Sequence, residues 1–189
     1  MAQYPSFDLN DPMKLTDLGK TNISSTWDKM TDKQKNDLAN KAWKNFAITD
    51  TFEPGSIYKP IVVAMALEEG VIKSTDSFYC GGVKKIADYE IHCHNRNGHG
   101  ALSLTGVLAQ SCNIGMMEII TKLGAEKYLQ YQHDFGFGEK TGIDLPNEAS
   151  ASNLLYSLST FTQPKWQQVL SVRALTVHLF RLLQHFHLL

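Results

Sequence analysis

One stretch constrains the fold of this chain more than any other. It is Glu53-Pro54-Gly55-Ser56-Ile57-Tyr58-Lys59-Pro60, with the unbroken apolar run Ile61 to Leu67 behind it. An apolar run with no polar face predicts a helix packed on all sides, and Gly70 supplies its C-terminal stop. Pro60 suits the first turn of such a helix, where no intrahelical N–H is needed. The Pro-Gly pair ahead of it predicts a tight turn that delivers Ser56 to the helix start. Ser56 and Lys59 stand three apart, which puts them on one helical face. A hydroxyl beside an amine is a nucleophile beside a candidate base. A lysine at the edge of an apolar run is costly to bury unless its charge has a partner or a use.

The 189 residues suffice for one domain with its own core. Composition is that of an ordinary globular protein, and a net charge of −1 gives no electrostatic case for nucleic acid as a partner. No run of eighteen apolar residues predicts a membrane span, and residues 1–20 carry no signal-peptide pattern, so no anchor or leader is expected in this chain.

Around the central stretch the pattern is mixed. Tyr4 to Asn10 predicts an extended segment that turns at Asn10-Asp11-Pro12, and no pattern assigns residues 13–30. Thr31-Asp32 predicts the start of an amphipathic helix running to Phe46, with Leu38, Ala42 and Phe46 on one face. Ala47 to Phe52 then reads as a link. Beyond Gly70, Val71 to Lys73, Ser77 to Cys80 and Tyr89 to Cys93 read as extended pieces, broken by Gly81-Gly82. Asn95 to Gly100 reads as a loop. Ser103 is the expected cap of a helix to about Gln110. Further helices are expected from Ile114 to Leu123 and from Ala125 to about Phe135, with Ile143 to Pro146 extended.

Ser111-Cys112-Asn113 falls on the connection between two of these helices, where polar side chains can face a cleft. Alone it is unremarkable, because serine and asparagine are common loop and cap residues. A second group, Cys80, His92, Cys93, His94 and His99, invites a metal reading. Its spacing lacks the tight pairs typical of zinc sites. On a regular strand His92 and His94 would face away from Cys93. A Cys80–Cys93 disulfide is therefore expected ahead of a metal, with free thiols open, and Cys112 reads as a small packed residue.

Taken together, Glu53-Pro54-Gly55-Ser56-x-x-Lys59-Pro60, His99-Gly100, Ser111-Cys112-Asn113 and Phe135-Gly136-Phe137-Gly138-x-Lys140-Thr141-Gly142-Ile143-Asp144-Leu145-Pro146 resemble the transpeptidase domain of penicillin-binding proteins. The resemblance is strongest to the single-activity class used in division and sporulation, and it covers residues 1–161. It implies an α/β fold of the serine β-lactamase and transpeptidase type, incomplete here, with a helical cluster and a partial antiparallel sheet. It implies acyl transfer on a D-alanyl-D-alanine stem peptide of peptidoglycan. Ser56 would be the nucleophile, and its backbone N–H an oxyanion donor. Lys59 would be a general base held neutral, Ser111 the proton donor to the leaving amine, and Asn113 the residue that positions Lys59 and the substrate amide. β-Lactam antibiotics would acylate Ser56. Neither a cofactor nor a metal is implied. The parent protein would sit at the cell membrane on its extracytoplasmic face, among cell-envelope synthesis proteins.

Two departures from the family pattern stand out. Ile57 replaces the usual threonine. The third family motif, Lys-Thr/Ser-Gly on a strand lining the cleft, is not expected at Lys140-Thr141-Gly142, which follows Asn113 by only 27 residues within a Gly-Phe-Gly phrase. The chain is expected to end before that motif, and so to be an inactive piece with exposed apolar surface. Residues 162–189 change character: they hold three of the seven histidines and no Asp, Glu or Gly. Partial helical spacing allows a terminal helix, but the favoured expectation is a frameshift near Phe161. Back-translation one nucleotide out of register permits a phrase resembling the one the family carries there. Three function classes follow: a transpeptidase, a penicillin-recognising sensor without turnover, and a metal or structural module on the Cys/His segment.

Overall fold

The structure, a computed structural model, describes residues 8, 10–12, 26–86, 89–159 and the backbone of 177–178. It divides into two units, Met1–Thr49 and Asp50–Leu189. Most of the extended segment expected over Tyr4 to Asn10 lies outside the described residues, as does the 162–189 tail apart from its two paired residues.

In the first unit, the Asp8 carboxylate accepts from the Asn10 backbone and side-chain nitrogens, and its carbonyl accepts from the Asp11 N–H. That is the local turn chemistry aspartate favours. Helix α1, Asp32–Trp43, opens on a full capping box in which Thr31 and Gln34 bond each other's backbone N–H. It buries Ala39 and Ala42 against Trp27 and Leu38. Trp43 Nε1 donates to the Pro12 carbonyl at 3.0 Å. The helix stops short of the expected Phe46. Lys44 is extended, and the Asn45 side chain accepts from the Ala47 N–H to start a separate turn, α2, Phe46–Thr49. Asparagine competes with helix continuation by capping the residues that follow it.

The second unit is built around the apolar run. A short strand β1, Thr51–Phe52, leads to a 3-10 turn over Gly55–Tyr58 and then to helix α3, Lys59–Glu68. Lys59, Ile61, Val62, Val63, Met65 and Ala66 are buried, as a helix without a polar face requires. Gly70, at φ 64°, ends it: its N–H bonds the Leu67 carbonyl and the Val71 N–H bonds the Ala66 carbonyl, the paired bonds of a Schellman motif. This turn absorbs Val71 to Lys73, which are therefore not the extended piece expected, and it tucks Ile72 into the core.

Among the described residues, three antiparallel pairs accompany the helices. Strand β2, Ser77–Cys80, points Phe78 and Cys80 inward. It pairs with β5, Gly100–Ser103, from Ser77↔Ser103 to Cys80↔Gly100. Strands β3, Val83–Ile86, and β4, Tyr89–His92, pair from Val83↔His92 to Ile86↔Tyr89. β1 pairs with β6, Val177–His178. Helix α4, Leu104–Ala109, is capped by Ser103, whose hydroxyl accepts from the Gly106 N–H. Helices α5, Asn113–Leu123, and α6, Ala125–Asp134, complete the unit. One core joins α3, α5, β2 and the aromatic set Tyr58, Tyr128 and Phe137. The Tyr58 ring meets Phe137 edge-on at 5.4 Å. Glu69 ties the end of α3 to α6 through the Tyr131 hydroxyl and Lys127. The fold is that of helices with antiparallel strands, as expected.

Candidate active site

Pro54 and Gly55 form the turn before Ser56. Gly55 has φ 60°, a conformation that glycine adopts without the Cβ penalty. The turn leaves Ser56 exposed, and its hydroxyl hydrogen-bonds no other described residue. Lys59 starts α3, donates its N–H to the Ser56 carbonyl and is only 2% exposed.

The Lys59 amine reaches across the unit. Its Nζ lies 2.7 Å from the Ser111 carbonyl oxygen, 2.9 Å from Ser111 Oγ and 2.8 Å from Asn113 Oδ1. These partners stand 52 and 54 residues away in sequence. Burial lowers the Lys59 pKa below its usual 10.5, against a smaller opposing pull from Cys112 and Cys93. The Ser111 carbonyl, Ser111 Oγ and Asn113 Oδ1 each accept from the Lys59 amine, which matches the three donors a lysine carries. Loss of one proton from this amine would free a lone pair at the same place.

Ser111 holds this position in the left-handed region, at φ 46°. Its N–H bonds the Leu108 carbonyl and the Cys112 N–H bonds the Val107 carbonyl, so the chain leaving α4 is over-determined. Strain of this kind costs about 1–2 kcal/mol for a non-glycine residue and persists where the surroundings impose it. Cys112 caps α5 with its sulfur, 3.4 Å from the Gly115 nitrogen.

Lys140-Thr141-Gly142 runs through a loop, not a strand. Glu148 accepts from the Thr141 N–H and hydroxyl, both at 2.6 Å, and from the Gly142 N–H. The Thr141 N–H and hydroxyl and the Gly142 N–H are thus consumed within the loop.

The cysteines correct an expectation. No Cys80–Cys93 disulfide is formed: Cys80, Cys93 and Cys112 are all free and buried. Cys93 Sγ lies 4.0 Å from Cys112 Sγ and 3.6 Å from His99 Nδ1. Cys112 is thus no isolated packing residue. The β2–β5 pairing carries His99 to Cys80, and the start of α5 carries Cys112 to Cys93. His92 and His94 are exposed, as strand alternation predicts, although His94 Nδ1 still comes within 3.8 Å of Cys93 Sγ. Burial pushes the Cys112 thiol up to about 12. Burial acts the same way on Cys93, but backbone groups of Asn113 and Asn95 and the thiols of Cys80 and Cys112 outweigh it and lower its pKa.

Residues 1–167 match the family model described as the penicillin-binding protein transpeptidase domain. Stage V sporulation protein D of Bacillus subtilis is 42% identical over 108 residues, 57% of this chain and 17% of that protein. A peptidoglycan D,D-transpeptidase FtsI homolog of Mesostigma viride is 34% identical over 135 residues, covering 67% of this chain and 22% of its own length. Among solved structures, the transpeptidase domain of Burkholderia pseudomallei penicillin-binding protein 3 superposes with a TM-score of 0.69 at 26% identity, over 76% of this chain and 42% of that one. The chain thus spans about a fifth of the length of the curated relatives it matches.

Proposed function

The chain belongs to the penicillin-binding protein transpeptidase family, and on that premise we propose that it carries the serine, lysine and Ser-x-Asn walls of a D,D-transpeptidase site. Ser56 Oγ attacks the carbonyl of the penultimate D-alanine of a stem peptide. Its proton passes to Lys59 Nζ, the carbon–nitrogen bond to the terminal D-alanine breaks, and the acyl group stays on Ser56. Ser111 Oγ, hydrogen-bonded to Lys59, relays that proton to the departing amine. Asn113 holds the lysine through Oδ1 and offers its amide nitrogen to the substrate. An acceptor amine of a second stem peptide then takes the acyl group. A β-lactam enters by the same attack, and the opened ring remains on Ser56.

The observation that carries this reading is the buried Lys59 amine bonded at once to Ser111 and Asn113. Family and named relatives favour a transpeptidase over a sensor. The reading puts the longer parent at the extracytoplasmic face of the cell membrane, with cell-envelope synthesis proteins as partners. Among the described residues no helix is long and apolar enough to cross a membrane.

A fluorescent penicillin tests the assignment on the 189-residue chain and on a longer chain carrying the downstream part of the domain. The longer chain is expected to label covalently, and Ser56→Ala to abolish the label. Labelling that survives Ser56→Ala, or a longer chain that folds but never labels, would sink it.

A further inference from the structure

The turn that carries Ser56 points one side chain inward. Of its residues, Gly55–Tyr58, only Tyr58 is buried. Ser56 and Ile57 are exposed, and the Ser56 hydroxyl hydrogen-bonds no other described residue. Lys59 differs: its amine is held by Ser111 and Asn113. Ser56 therefore takes its place relative to that amine from the backbone between them, which the Lys59 N–H closes on the Ser56 carbonyl. Tyr58 is the side chain that grips this backbone from within.

Two aromatic rings hold Tyr58. Phe137 meets it edge-on with centroids 5.4 Å apart, and Tyr128 of α6 does so at 6.5 Å. Such edge-to-face contacts fix a ring's orientation as well as its position. All three side chains are 1% exposed, so none has room to turn away. Tyr58 Oη has no partner at hydrogen-bonding geometry among the described residues, so it is the ring that is held. Phe137 is fixed in turn. Its N–H bonds the Gln132 carbonyl of α6 at 2.9 Å. The next carbonyl, of Gly138, accepts from the Ala151 N–H at 2.9 Å and the Ser150 hydroxyl at 3.1 Å. Gly138 has φ 83°, and a Cβ there would lie 2.7 Å from Leu155 Cδ1, so the loop closes on glycine. The Gly136-Phe137-Gly138 phrase, which the acyl-transfer steps leave without a role, ends as a wedge behind the nucleophile turn.

We propose that Tyr58 is a positioning residue for acyl transfer: wedged between Phe137 and Tyr128, its ring sets the place of Ser56 against the Lys59 amine. Buried as it is, Tyr58 acts through the turn and not by touching substrate. A misplacement of about 1 Å at reacting atoms costs up to roughly 10²-fold in rate. A shift of this ring moves the turn while the amine stays on Ser111 and Asn113. Ordinary core packing predicts something else: less folded chain, with unchanged chemistry in what remains folded. The inference rests on the acyl-transfer reading, and the experiment below separates the two.

The test follows penicillin acylation of the longer chain that carries the downstream part of the domain. Progress curves at several penicillin concentrations separate noncovalent binding from the acylation rate constant, and the final labelled fraction counts folded chains. Tyr58→Leu is expected to slow acylation by roughly 10–10²-fold while the binding constant stays near wild type. Phe137→Leu should slow it too, and the two changes together should slow it by less than the product of their separate effects. Tyr58→Phe keeps the ring and should keep the wild-type rate. Leu123→Val trims the same core at the far end of α5; it should lower the melting point and leave the rate constant alone. A wild-type rate constant in Tyr58→Leu, or in Phe137→Leu if Tyr58→Leu does not fold, overturns the inference. So does equal slowing in Leu123→Val, which would trace the effect to general loosening, or in Tyr58→Phe, which would trace it to the hydroxyl. Those results leave the acyl-transfer reading standing. A wild-type longer chain that folds and never labels sinks that reading, and this inference with it.

Discussion

Lys59 is the residue on which burial, geometry and chemistry converge. Replacing it with methionine removes a desolvated amine and keeps the volume. Stability is expected to fall by about 1–3 kcal/mol, because the Ser111 carbonyl and Asn113 Oδ1 lose their donor while the volume is kept. Covalent penicillin labelling should fall by roughly 10²–10⁴-fold, the usual worth of a general base. Chemical denaturation and labelling rates measured side by side decide this, and full labelling of Lys59→Met would end the base assignment. The lowered Lys59 pKa also fixes a sign. The folded state binds fewer protons than the unfolded one between the lowered pKa and 10.5, so this lysine opposes folding most at low pH and ceases to do so as pH rises through that window. The labelling rate should rise with pH across the lower end of the same window, and a flat profile would contradict a neutral-lysine base. Ser111 offers a second check at this scale. Its φ of 46° is a strained value for a side chain, so Ser111→Gly should be more stable than Ser111→Ala by about 1 kcal/mol. Both should label slowly, since both lack the hydroxyl. Equal stability of the two variants would show that the strain is absent.

At the scale of elements, the site depends on how closely α4 and α5 pack. Gly115 sits in the first turn of α5 facing Val107 of α4, and a Cβ there would lie 2.7 Å from Val107 Cγ2. Val107 is fully buried and cannot swing away. Gly115→Ala is therefore expected to destabilise by about 1–3 kcal/mol, the cost of overpacking. Labelling should fall with it, because the two helices carry Ser111 and Asn113 between them. A thermal melt with wild-type midpoint would show that the helices can separate freely. Most elements were legible from local signals. The Thr31 cap, the Ser103 cap, the apolar run of α3 and the Gly70 and Gly124 stops act within a few residues of themselves. The strands were less so. β5 is Gly-Ala-Leu-Ser, with little intrinsic strand preference, and it is a strand because β2 supplies its hydrogen-bond partners. β3, with two lysines, is made a strand by β4 in the same way. Val71 to Lys73 erred in the opposite direction: β-branched residues there serve a helix-ending turn.

For the whole molecule, the open question is what covers the strand pairs. Among the described residues Tyr79 on β2 is 71% exposed and Tyr89 on β4 55%. Exposed aromatic and aliphatic side chains on short sheets invite association. The reading of residues 162–189 as out of frame leads to a specific expectation. A chain continued in the alternative frame should bind less of a hydrophobic dye per molecule than the 189-residue chain, and it should label with penicillin where the shorter chain does not. Equal dye binding, or a gene with no family phrase in the alternative frame, would remove that reading. The architecture itself, helices with antiparallel strands, was foreseen because the motifs came as a set.

By itself the sequence determined what short-range physics determines: which runs bury a face, and where caps and glycines end them. The expectation that Ser56 shares a helical face with Lys59 met a different local structure, a 3-10 turn that leaves Ser56 exposed ahead of the helix while Lys59 is buried at its start. Tertiary structure alone decided where the Lys59 amine ends, because its partners lie 52 and 54 residues on and meet it only when α3 and α5 share a core. It also decided the fate of the cysteines. Spacing along the chain disfavoured a metal and suggested a disulfide, yet a backbone crossing that glycine permits at Gly82 and Gly98 gathers Cys80, Cys93, His99 and Cys112 into one cluster. Spacing along the chain reports such a cluster only when its members are local in sequence. Here they come from separate segments, brought together by the burial and strand pairing that fold the unit.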